Sequence, residues 1–112
     1  MNEIFEAVEE AAQIIFGNQK HYEELLDGDL GLNLKVSDLV SAFTENKIHG
    51  AFGHKMEYWN QIGNVEREVV AELATIYYVG DGEAVNFIEA FPKLKKLFEE
   101  VRIHYEQCNK VA

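Results

Sequence analysis

The chain has 112 residues, of which 47% are hydrophobic, and this composition excludes a disordered segment and predicts a single hydrophobic core. Its formal net charge of −10 excludes a Lys- and Arg-lined surface for phosphate groups, so we expect neither nucleic acid nor an anionic membrane as a partner. The single cysteine, Cys108, excludes an internal disulfide and a zinc ribbon, which is typical of proteins in a reducing cytoplasm.

The first predicted element is an amphipathic helix that ends at Gly17 and Asn18. Its apolar side chains recur at helical spacing along one side; they are Ile4, Phe5, Val8, Ala11, Ala12, Ile15 and Phe16. A short helical turn over 21–26 and a tight turn over 27–29 follow. Ser37, as a capping residue, and Asp38, as an acid in the first turn, predict a third helix over 38–43.

The middle of the chain, 47–59, is rich in glycine and aromatic residues and predicts a loop or a short hairpin packed on the helices. Asn64 predicts the cap of a helix over 65–79, and a further helix is expected over 83–91. Pro92 suits the first turn of a last helix over 92–107. The pattern predicts a mainly α-helical fold: one compact domain of about five to six helices over residues 1–112.

A pair of glutamates, Glu68 and Glu72, is the most unusual feature of the predicted helix over 65–79. The two lie one helical turn apart with no Lys or Arg at a compensating position, an arrangement that costs about 0.2–0.5 kcal/mol. They are either metal-ligating or acid/base carboxylates, or carboxylates at the rim of the core that bind water, a tyrosine or backbone N–H groups.

Other candidate site residues lie in the glycine- and aromatic-rich segment. His49 and His54 are five residues apart and could bring two imidazoles together with Glu68 around zinc, although histidines in loops are more often simple hydrogen-bonding groups. A candidate interaction surface adds aromatic side chains, which equally well complete a small core; it consists of His54, Tyr58, Trp59, Glu68 and Glu72.

Several short motifs resemble the C-terminal segment of phage minor head, or head morphogenesis, proteins. The likeness spans about residues 36–105 and depends on the order and spacing of the motifs; they are Ser37 to Thr44, Ile48 to His54, Tyr58-Trp59, Glu66 to Glu72, Asn86 to Ile88 and Phe91 to Leu94.

The resemblance carries an expectation about metal chemistry. In that family such a segment commonly follows a zinc-peptidase helix with a His-Glu-x-x-His motif, and a glutamate on the later helix is the expected third ligand, which would map to Glu68. Two imidazoles one turn apart bind zinc while the glutamate between them activates water. Here Val8 and Ala12 stand where both histidines would fall. The resemblance therefore implies a peptidase scaffold without zinc, other cofactor or catalytic residues.

Three functions follow from these observations. The first is a non-catalytic, peptidase-derived phage or prophage domain that acts through protein contacts, with capsid or portal components as partners, in the bacterial cytoplasm or the virion. The second is a zinc-dependent hydrolase with an atypical site of His49, His54 and Glu68. The third is an acidic adaptor whose first helix docks on a basic protein. The sequence does not distinguish a monomer from a homo-oligomer.

Overall fold

In a computed structural model, described over residues 2–48, 56–59, 61 and 63–111, most of the described residues lie in helices. Six longer helices and one helical turn occur in these ranges; they are α1 (Asn2–Gly17), α2 (Gln19–Gly28), α3 (Leu30–Phe43), α4 (Met56–Trp59), α5 (Asn64–Val79), α6 (Gly82–Glu89) and α7 (Pro92–Val111). The predicted mainly α-helical, single-domain architecture is confirmed.

The strongest helix signals in the sequence correspond to α1, α5 and α7. Helix α5 ends where Gly80 adopts the left-handed conformation with a φ of 70°, which a residue without a Cβ atom adopts at little cost. Pro92 is the first residue of α7, where its missing N–H leaves no helical hydrogen bond unmade. The last helix continues to Val111, past the predicted end at 107.

The predicted start of the third helix is wrong. Helix α3 begins at Leu30, and the Asp29 side chain caps it by accepting a hydrogen bond from the Leu32 N–H at 3.0 Å. Ser37, the predicted cap, lies inside the helix and is 3% exposed. Helix α3 carries buried residues on most of its circumference, so apolar periodicity does not mark its beginning.

The predicted loop or hairpin over 47–59 is only partly covered by the described residues. Residues 49–55 lie outside them, and with them the candidates His49 and His54. Residues 56–59 form the helical turn α4 instead of a loop or strand. Asn64, the predicted cap, is the first residue of α5; its side-chain amide donates to the Tyr58 carbonyl oxygen at 3.0 Å and so ties α4 to α5.

The core lies between the long helices. Helix α1 packs mainly along α7, and α3 packs along α5, with α5 also contacting α7. Phe91, between α6 and α7, is fully buried beside three aromatic rings, those of Tyr22, Phe43 and Phe87. Helix α3 contacts α5, α2 and α6. Its contact with α5 brings the residues of the candidate site together.

Candidate functional site

Three carboxylate groups converge where α3 crosses α5. Asp38 of α3 and Glu68 and Glu72 of α5 each offer an oxygen atom, and these atoms all lie within 4.8 Å of one another. All three side chains are half-buried. Glu68 and Glu72 are neighbours because they are four residues apart on one helix, whereas Asp38 joins them only through the packing of α3 against α5.

The antiparallel arrangement of α3 and α5 sets this register. Near the end of α3, Phe43 shares a depression with Val65 at the beginning of α5. Eight residues earlier in α3, Lys35 forms an ion pair of 2.7 Å with Asp81, which lies two residues past the end of α5. Asp38 lies between these two contacts and therefore reaches the middle of α5.

Tyr58 of α4 completes the carboxylate site. Its hydroxyl group donates a hydrogen bond of 2.6 Å to the Oε1 atom of Glu68. The hydrogen bond to this carboxylate, together with desolvation, raises the pKa of Tyr58 above its ordinary value, because phenolate formation would remove the donated proton and place two negative charges side by side. The Tyr58 hydroxyl is thus held in its protonated, donating form.

The donor set determines which ions this site could hold. Carboxylate oxygens are the ligands that Mg²⁺, Mn²⁺ and Ca²⁺ prefer, whereas tightly bound zinc in proteins has imidazole or thiolate ligands. Asp38, Glu68 and Glu72 could provide up to three carboxylate ligands to one divalent cation.

The sequence identified part of this site. Glu68, Glu72 and Tyr58, all predicted as candidates, lie together, whereas the side chain of Trp59 lies outside the described residues. Asp38 was interpreted only as an acid in a first helical turn. A signal for it was present, since Asp38 is the only charged residue in the otherwise apolar or small stretch 36–44, and an acid surrounded by such residues is typical of a functional or paired group.

Helix α1 contacts α5 near the beginning of α5, where Val8 shares a depression with Val65 and Glu66. Val8 and Ala12 have aliphatic side chains, so these two positions offer no ligand to a metal ion.

Comparisons with protein-family models, with curated proteins and with solved structures find no match to this chain. The helices in the described part of the chain include none that is long and apolar enough to cross a membrane. The fold and the site thus define a helical domain with a cluster of three carboxylates between two antiparallel helices.

Proposed function

We propose that this chain is a non-catalytic helical domain that acts through protein–protein contacts in the assembly of a phage or prophage head, with portal or capsid components as its partners. One observation carries the non-catalytic part of this proposal: Val8 and Ala12 stand at the two positions of the first helix where the zinc-binding histidines would fall. Aliphatic side chains have no lone pair for a metal ion.

Surface composition supports the protein-contact part of the proposal. Several large apolar side chains are exposed to solvent, Phe5 by 59%, Leu30 by 63% and Val79 by 70%. Burial of such a side chain against a partner would provide the stabilisation that it lacks in water. The assembly context comes from the motif order over residues 36–105.

Metal analysis and co-purification test the two parts separately. Protein purified without added metal should contain far less than one zinc per chain by elemental mass spectrometry, and stoichiometric zinc would overturn the non-catalytic proposal. Co-expression with the portal and capsid proteins of the same genome should yield a complex with one of them. If neither protein co-purifies with the chain, the head-assembly role is wrong.

A second candidate function is a metal-dependent hydrolase, and the carboxylate site favours it. Its donor set makes Mn²⁺ or Mg²⁺ the expected ion instead of zinc. Under this alternative, millimolar Mn²⁺ raises the melting temperature and supports peptide cleavage, and Glu68→Gln abolishes both effects while Glu66→Gln preserves them. A melting temperature unchanged by Mn²⁺, Mg²⁺ and Ca²⁺ would eliminate it.

A further inference from the structure

A groove runs along the surface between α1 and α5. It consists of two adjoining depressions that share Glu66 as a lining residue, one of about 130 Å³ beside Phe5 and Val8 and one of about 430 Å³ beside Ile4 and Val70. We call these two depressions together the α1–α5 groove. The first two turns of α1 and of α5 line both depressions. The end of α3 also lines the smaller one, with Ala42 and Phe43.

The groove is lined by apolar side chains that the fold leaves in contact with water. The sequence pattern placed Phe5 on the core side of the first helix, but its side chain is 59% exposed at the edge of the groove. Ile4, Val8 and Val70 are only half-buried. An amphipathic helix that inserts its apolar side chains at every third or fourth position would fit such a channel and cover Phe5.

The charges around the groove are complementary to a basic partner. Two glutamates, Glu45 and Glu66, line the groove itself, whereas Glu3 and Glu6 of α1 line a separate depression beside α7. Arg67 is the basic residue among the lining side chains, and its guanidinium group donates a hydrogen bond to the Asn64 side chain. A second copy of this chain would bring the same acids face to face, which like-charge repulsion disfavours.

We propose that the α1–α5 groove is the docking site for a basic amphipathic helix of a partner protein. This inference rests on the proposed function as a protein-contact domain and identifies the surface and the chemistry of the partner. The apolar side of the partner helix covers Phe5 and Val70, and its lysines and arginines lie against Glu45 and Glu66.

A designed peptide tests the groove directly. The probe is a fluorescent helix of about 14 residues, four turns, with leucines at positions i, i+3, i+4 and i+7 and lysines on both flanks. We expect it to bind with a Kd of about 10 μM and to dissociate as the salt concentration rises. The same peptide with glutamate in place of every lysine should bind at least about tenfold more weakly.

Matched variants of the full chain assign the binding to this surface. Phe5→Ser should weaken peptide binding at least about tenfold, whereas Leu34→Ser, which alters a leucine that is 50% exposed elsewhere, should change it less than about twofold. Glu66→Lys should weaken binding more than Glu24→Lys, a control with the same change in net charge. Circular dichroism and the melting temperature establish that each variant is folded.

Three results would overturn the inference: equal binding of the basic and acidic peptides, equal effects of Phe5→Ser and Leu34→Ser, or a dimer of the parent chain that Phe5→Ser dissociates. The proposed function is tested separately by the portal and capsid complex. If that complex forms and Phe5→Ser leaves it intact, the docking surface is wrong while the protein-contact function stands. If no complex forms but the peptide binds this groove, the head-assembly role fails alone.

Discussion

Individual residues in α3 show how a polar group can weaken a helical core. Ser37 and Ser41 lie one turn apart, and their hydroxyl oxygens are buried without a hydrogen-bond partner in the part of the chain that the structure describes. Thr44, at the end of the same helix, is equally buried, but its hydroxyl group lies 2.8 Å from the carbonyl oxygens of Val40 and Ile48 and accepts from the Ile48 N–H at 3.1 Å.

Replacing these hydroxyl groups should therefore have opposite effects. Ser37→Ala removes a buried polar atom that lacks a partner and should raise the free energy of unfolding by about 1 kcal/mol. Thr44→Val leaves the Ile48 N–H without its partner and should lower it by about 1–3 kcal/mol. Urea denaturation measures both changes. A loss of stability in Ser37→Ala would mean that its hydroxyl group makes a stabilising interaction in solution.

The hydrogen bond between Tyr58 and Glu68 predicts a specific dependence on pH. Because the folded-state pKa of Tyr58 lies above its ordinary value of 10.0, the stabilising contribution of this contact is complete below pH 10 and is lost as the pH rises through the folded-state pKa. Burial raises the pKa of Tyr22 as well, so the free energy of unfolding should fall in the same alkaline range.

Substitution of the acceptor tests this cause of the shift. In Glu68→Gln the negative charge beside the hydroxyl group is removed, and the pKa of Tyr58 should move down towards 10. Titration of ¹³C-labelled tyrosine rings by NMR measures the change, with Glu66→Gln on the same helix as the control. An unchanged Tyr58 pKa in Glu68→Gln would assign the shift to desolvation alone.

At the scale of single elements, the position of a cap decides where α3 begins. The Asp29 carboxylate accepts the Leu32 N–H at 3.0 Å, and Asn33 in the same first turn donates from its side-chain amide to the Leu26 carbonyl oxygen at 3.1 Å. These contacts link α2 to α3 across a single residue. The beginning of α3 therefore depends on Asp29 and not on Ser37.

Loss of this cap should destabilise the protein and fray the first turn of α3. Asp29→Ala should lower the free energy of unfolding by about 1 kcal/mol. Asp29→Asn should keep most of the stability that the cap contributes, because an amide oxygen is also a good capping acceptor. Hydrogen exchange of the amides at 31–33 locates the effect. Unchanged exchange at these amides in Asp29→Ala would show that the cap does not hold the turn.

At the scale of the whole molecule, one aromatic cluster joins three parts of the chain. Phe91 is fully buried, with ring centroids 5.9 Å from Tyr22, 6.2 Å from Phe43 and 5.3 Å from Phe87. These residues come from α2, α3 and α6, and Phe91 itself precedes α7. The cluster therefore joins α2, α3 and the junction between α6 and α7.

Truncation of Phe91 should destabilise the whole fold. Phe91→Ala leaves a cavity and should cost about 3–5 kcal/mol, a large part of the roughly 5–15 kcal/mol that stabilises a typical domain. Phe16→Ala is the control, because Phe16 is 39% exposed on α1 and should cost much less. Thermal unfolding followed by circular dichroism gives the comparison, and equal losses in the two variants would contradict a central role for Phe91.

The amino-acid sequence by itself determined the helical class and most helix ends in the second half of the chain. Apolar spacing, the left-handed Gly80 and the N-terminal Pro92 act over a few residues, so their effects can be recognised without knowledge of the fold. The proximity of Glu68 and Glu72 was predictable for the same reason, since four residues span about one helical turn.

Two other features, the position of Asp38 and the exposure of Phe5, were decided by the tertiary structure alone. Asp38 joins Glu68 and Glu72 because α3 and α5 pack antiparallel, and Phe5 borders a groove instead of the core because α5 leaves it uncovered. Both outcomes depend on contacts between residues that are 30 or more positions apart. These contacts form because apolar residues from distant parts of the chain are buried in one common core. A local pattern shows which side of a helix is apolar, but the neighbouring helices determine which of its residues are covered.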